Sequence, residues 1–142
     1  MTGTREAIDA IVEAARAAGY VVAIAIVDAH GDLVAALRME GCRPRWMRAS
    51  LRKAYSAAVM DRDTEIFHDE IVARQLQLGY YGDPMLTALP GGIVVTDGDG
   101  TTIGAIGVTG PTKGLDAELA RAGLPALGAV SSRPAARTTA GR

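Results

Sequence analysis

Apolar residues recur at helical spacing from the start of the chain. Ile8, Ile11, Val12 and Ala15 share one face, while Arg5, Glu6, Asp9, Glu13 and Arg16 mostly take the other, which predicts an amphipathic helix closed by Gly19. The period then changes. Tyr20 to Val27 is short, β-branched and apolar on both faces, the pattern of a buried strand. Asp28-Ala-His-Gly-Asp32 supplies turn chemistry, and Leu33 to Arg38 returns as the second arm of a hairpin. Trp46 to Met60 reads as a second helix, with Met47, Leu51, Ala54, Tyr55 and Ala58 along one side. After a break at Asp61–Thr64, a third helix is expected over about Glu65 to Leu78, with Thr64 as its N-cap. Asp83-Pro84 predicts a short helical piece through Ala88.

Pro90-Gly91-Gly92 launches a strand over Ile93 to Thr96, Asp97-Gly-Asp-Gly100 predicts a hairpin turn, and Thr102 to Val108 is its partner. Gly104 and Gly107 weaken that partner strand, so another element is expected to press on its backbone. Leu115 to Ala122 is a last helix. The order α-ββ-αα-ββ-α, without βαβ alternation, predicts an α+β domain: an antiparallel sheet of four to five strands flanked by helices. We expect one domain over residues 1–130 and a disordered Ser/Arg/Pro/Ala/Thr tail over 131–142.

Composition narrows the function. The 15 basic and 16 acidic residues leave a net charge of -1, and residues 1–130 alone carry 12 basic and 16 acidic groups. This disfavours a nucleic-acid partner, which calls for a strong basic excess. No apolar run is long enough for a membrane span or resembles a signal-peptide core, so a cytoplasmic location is expected. The single cysteine, Cys42, allows no internal disulfide, although neighbouring Arg43 and Arg45 are expected to lower its pKa.

Local chemistry concentrates in a basic run: Arg38, Arg43, Arg45, Arg48, Arg52 and Lys53. Arg45, Arg48 and Arg52 share a helix face, where their planar forks suit carboxylates. A solvated arginine face is the plain alternative. Backbone N–H groups around Thr109 to Lys113 offer a second place for an anion. His30 sits in a turn and His68 on the third helix. Neither has a His or Cys at i+3 or i+4, so a metal site built from two local ligands is not supported. Tyr80-Tyr81, between glycines, reads as a lid, an oligomer contact or simple packing.

Five segments together, Val27-Asp-Ala-His-Gly-Asp-Leu-Val34, Arg38-Met-Glu-Gly41, Arg52-Lys-Ala-Tyr-Ser-Ala-Ala58, Leu89-Pro-Gly-Gly92 and Ile103-Gly-Ala-Ile-Gly-Val-Thr-Gly110, resemble the GlcG/HbpS family, which is itself similar to the C-terminal domain of PduO. The resemblance spans roughly Ile8 to Leu127 in order and spacing. It implies a profilin-like antiparallel sheet, a homo-oligomer (dimer or larger) and a small-molecule pocket for haem or another carboxylate-bearing ligand. Its matching positions imply a pocket near Arg38, Met39, Lys53, Tyr55, Gly91 and Gly92; Arg52 of the basic run is a further candidate ligand contact, and His68, Tyr80 and Tyr81 from the divergent segment 61–89 are candidates to line or cover the pocket. If haem is the cofactor, His30 or His68 is the candidate iron ligand. The alternative is a metal-independent isomerase, cyclase or lyase, with Arg38 clamping a carboxylate and Lys53 and Tyr55 as acid–base groups.

Overall fold

The computed structural model describes residues 1–111 and 113–128, so the expected tail lies outside the described residues. Helix α1 (Thr4–Ala17) leads into strands β1 (Ala23–Asp28) and β2 (Leu33–Arg38), then helices α2 (Pro44–Met60) and α3 (Thr64–Ala73). Strands β3 (Gly92–Thr96) and β4 (Thr102–Thr109) follow, and helix α4 (Lys113–Arg121) comes after them. The four strands form one antiparallel sheet in the order β2-β1-β4-β3. The two hairpins are thus joined through β1 and β4, the two strands farthest in sequence from the helical connection between the halves. No helix among the described residues is long and apolar enough to cross a membrane.

Strand alternation sorts residues onto two unlike faces. Ile24, Ile26, Ile93, Val95, Ile106 and Val108 form the larger core with Ala7, Ile8 and Ile11 of α1 and Ala117 and Ala120 of α4. The opposite face is built from Ala25, Val27 and Ala105, with Gly107 between them, and α2 lies on it through Ala54, Ala57 and Ala58. Small residues on both sides bring the helix close. A β-carbon on Gly107 would stand 2.1 Å from the Ser50 carbonyl oxygen and 2.7 Å from the Ala54 nitrogen. The expectation that an element presses on this strand therefore holds, and the element is α2.

Close packing also rotates α2 from the face its apolar pattern suggested. Trp46, Ser50, Lys53, Ala54 and Ala57 are buried, whereas Met47 and Leu51 pack at the margin and Tyr55 is half-buried. Ser50 satisfies its hydroxyl in the interface, within hydrogen-bond distance of the Ala23 carbonyl (2.8 Å) and the Thr109 hydroxyl (2.9 Å). A helix meeting an Ala/Gly surface favours small side chains over large apolar ones, so polarity is a poor guide to its inward face.

Three local expectations change. Asp63, not Thr64, is the residue before α3, and its carboxylate accepts the Val94 N–H at 2.9 Å. Thr64 instead takes the Gly92 N–H at 3.0 Å, so both residues tie the helix to β3. Helix α3 ends at Ala73, with Gln75 at φ 54, short of Leu78, and a 3-10 turn follows at Leu78–Tyr81. Residues 83–88 form a turn, not a helix; Asp83 caps it by accepting the Met85 N–H. The Thr87 N–H donates to Ser56 on α2, which fixes the approach to β3.

Candidate functional site

Beside α2, a cleft of about 360 Å³ opens where the helix meets Leu89-Pro90 and the Gly110-Pro111 turn. The geometry follows from the anchors just described. Ser50 and Ser56 fix α2 to the sheet and to the incoming loop, which leaves the first turns of α2 to form one wall. Arg43 and Arg45 line the cleft, exposed, with the buried Trp46 ring. Leu89, Pro90 and Pro111 supply further apolar wall, and Thr109 a hydroxyl.

Lys53 and Asp116 meet at 3.1 Å in the same cleft, their side chains only 4% exposed each. The Lys53 ammonium also donates to the Val108 carbonyl at 3.0 Å, and Asp116 accepts the Gly110 N–H at 3.0 Å. Burial pushes the Asp116 carboxyl above its usual range; attraction to Lys53, the hydrogen bond from it and the Gly110 N–H oppose the rise. The Gly110 amide offered by sequence as part of an anion site thus already holds an anion, the chain's own carboxylate.

Gly91 and Gly92 make the ion pair possible. Gly91 has φ 120, and a β-carbon there would lie 2.5 Å from the Val108 oxygen and 3.0 Å from the Lys53 ammonium. At Gly92 it would lie 2.4 Å from the Lys53 carbonyl oxygen. Both glycines are buried. Within the chain their close approach is to α2, β4 and α4.

The remaining site residues expected from sequence stand elsewhere. Arg38 and Met39 line a separate cleft of about 680 Å³ with α1 residues such as Asp9, Val12 and Arg16. The Met39 sulfur there accepts the Val22 N–H at 3.4 Å. Arg52 is exposed and donates to the Pro84 carbonyl at 2.9 Å. Tyr55 follows Lys53 by two residues, which turns it about 200° around the helix, and its hydroxyl donates to Asp83 at 2.6 Å. That hydrogen bond, with burial and the Asp83 charge, raises the Tyr55 pKa. Lys53 and Tyr55 therefore do not converge on one substrate.

His30 lies in the β1–β2 turn near Asp28, and His68 lies on α3 beside Asp69, both exposed. Neither lines the Lys53 cleft, and no group of three or more His, Cys, Asp or Glu residues suited to a metal occurs among the described residues. Tyr81 packs edge-on against Phe67 with ring centroids 5.4 Å apart, while Tyr80 is exposed. Neither tyrosine lines the cleft. The Cys42 thiol is pushed up, not down: burial outweighs the backbone hydrogen bond at Met39 and the Arg38 charge. Sequence reasoning missed Asp116 and Trp46 as site residues. Trp46 carried a usable signal, since it adjoins Arg45 within the basic run; Asp116 carried none.

Comparison with known proteins places these features. A family model described as haem degrading protein HbpS-like matches residues 1–125. Protein GlcG of Escherichia coli strain K12 is 36% identical over 97 residues, covering 68% of this chain and 70% of that protein. Among solved structures, HbpS superposes with a TM-score of 0.79 at 32% identity, covering 89% of this chain and 87% of that one. A PduOC–haem complex gives a TM-score of 0.82 at 23% identity, over 94% and 97% of the two chains. At that identity the second likeness shows the shared fold.

Proposed function

The chain belongs to the HbpS-like family, and from that membership and the cleft chemistry we propose that it binds haem or a similar carboxylate-bearing ligand beside α2. The observation that carries this reading is the pairing of Arg43 and Arg45 with the Trp46 ring around one cleft. Guanidinium groups recognise carboxylates through paired N–H donors, and an indole face with Leu89 and Pro90 accepts a flat apolar body. These residues fit the propionates and the organic edge of haem. Among the described residues, no histidine, cysteine or methionine lines the cleft. Haem, when bound, would contribute iron chemistry; the protein's own contribution is to hold its acidic edge at Arg43 and Arg45.

The Lys53–Asp116 pair has a positioning role in this reading. It anchors α2 to β4 and α4 and so fixes the wall that carries Arg43, Arg45 and Trp46. The enzyme alternative retains Lys53 in the cleft but not Tyr55 or Arg38. We also propose that it forms a homo-oligomer and takes neither a nucleic-acid nor a membrane partner; the near-balanced charge of the chain supports the exclusion of nucleic acid.

Trp46 is the chain's one tryptophan, so its emission reports on this cleft alone. Haemin titration is expected to give a saturable Soret change in step with quenching of Trp46. Combined Arg43→Ala and Arg45→Ala substitution should weaken binding about tenfold, the scale of a partly solvated charged hydrogen-bond set. His30→Ala and His68→Ala should leave affinity unchanged. Unsaturable haemin uptake, or uptake with the same affinity in the arginine variant, would overturn the reading.

A further inference from the structure

We propose that strand β2 joins two copies of this chain, edge to edge and antiparallel about a two-fold axis. The proposal names the contact for the homo-oligomer reading and rests on it, but not on what the cleft binds.

Among the described residues, β2 has one neighbour, β1, and is an edge of the sheet. Its six residues, Leu33-Val-Ala-Ala-Leu-Arg38, are exposed or half-exposed on both faces. Leu33 is 56% exposed, Val34 42% and Leu37 38%. Sheet edges left in water are ordinarily blunted by lysine, proline or an inward-pointing charge. Here five consecutive apolar positions carry none of these. A bulge interrupts the register near the start of the strand, at Ile26/Val27 of β1, while Ala35 to Arg38 run in regular pairing.

The charges identify the occupant. Exposed Asp32 precedes the strand and exposed Arg38 ends it. Two copies aligned antiparallel set the start of one strand against the end of the other, so Asp32 meets the partner's Arg38 at both ends of the contact. Parallel alignment would bring like charges together. Between the charged ends lie Leu33, Val34 and Leu37, and the small Ala35 and Ala36 at the centre let two backbones approach. A cleft of about 450 Å³ between α1 and Ala35, Ala36 and Leu37 borders the same edge and gives partner side chains room. A strand of this pattern is self-complementary, as a two-fold contact requires.

Light scattering on the full chain tests this, with circular dichroism melts confirming that each variant is folded. The wild type is expected at an even multiple of 14.7 kDa, and Leu37→Lys at half the wild-type mass or less. Asp32→Lys and Arg38→Glu should each raise the dissociation constant about tenfold, and the two together should restore it. A monomeric wild type would overturn both the oligomer reading and this contact. An oligomer indifferent to Leu37→Lys and to both charge variants would overturn the β2 contact and leave the oligomer reading standing. Single charge variants that weaken association without restoration in the double would overturn antiparallel self-pairing in favour of a different partner segment.

Discussion

Lys53→Met is expected to destabilise the protein by about 3–5 kcal/mol at neutral pH, the scale for removing one member of a buried ion pair. Methionine nearly fills the space, so the loss is electrostatic: the Asp116 carboxylate, 4% exposed, keeps the Gly110 N–H but loses its cation. Denaturant unfolding followed at several pH values gives a second readout. Burial already raises the Asp116 pKa above its unfolded value, and removing Lys53 removes two influences that hold it down. A group whose folded pKa lies above its unfolded one contributes stability that is full below the unfolded value and is lost as pH rises through the folded value. The deficit of Lys53→Met should therefore shrink as the solution is acidified toward the ordinary carboxylate range. Adding Asp116→Asn, which keeps an acceptor for Gly110, should recover most of the loss at neutral pH. A single variant within about 1 kcal/mol of wild type, the range of exposed pairs, would mean that the pair does not anchor α2.

Gly107→Ala is expected to cost about 3 kcal/mol or more, at or beyond the top of the usual range for overpacking a core. The added methyl would overlap the Ser50 carbonyl and the Ala54 nitrogen, both backbone atoms of α2, so no rotamer change relieves it. In a chain of this size such a loss lowers the melting temperature by roughly 10 °C. Gly98→Ala is the control, since nothing lies within 4 Å of its β-carbon position, and its melting temperature should stay near wild type. Helix α2 also carries Arg45, Trp46 and Lys53, so Gly107→Ala should weaken haemin quenching of Trp46 even where the protein remains folded. Equal melting temperatures for Gly107→Ala and Gly98→Ala would contradict the close seating of α2.

Where the local pattern was strong, elements could be placed from sequence. Strand β2 coincides with Leu33–Arg38, and the Asp97–Gly100 turn forms as its residues imply, with Asp97 accepting the Asp99 and Thr101 N–H groups. The site was legible in part. Lys53 belongs to the cleft, and so do Arg43 and Arg45 of the basic run, whereas Arg38, Met39, Arg52 and Tyr55 disperse to other surfaces. Neighbours along a helix or loop need not share a cleft, because each step on α2 turns a side chain by about 100°.

By itself, the sequence determined the order of elements, the α+β class, the family and the need for close packing on Gly107. Each of these follows from local backbone preference, from side-chain period or from motifs contiguous in the chain. Tertiary structure alone decided that β1 lies beside β4, that α2 turns Ser50 and Lys53 inward, and that Asp116 meets Lys53 from 63 residues away. Those outcomes depend on which faces fit against one another once the sheet is assembled. An Ala/Gly face admits a helix close enough to bury a lysine, and a carboxylate arriving from α4, together with the Val108 carbonyl, makes that burial tolerable.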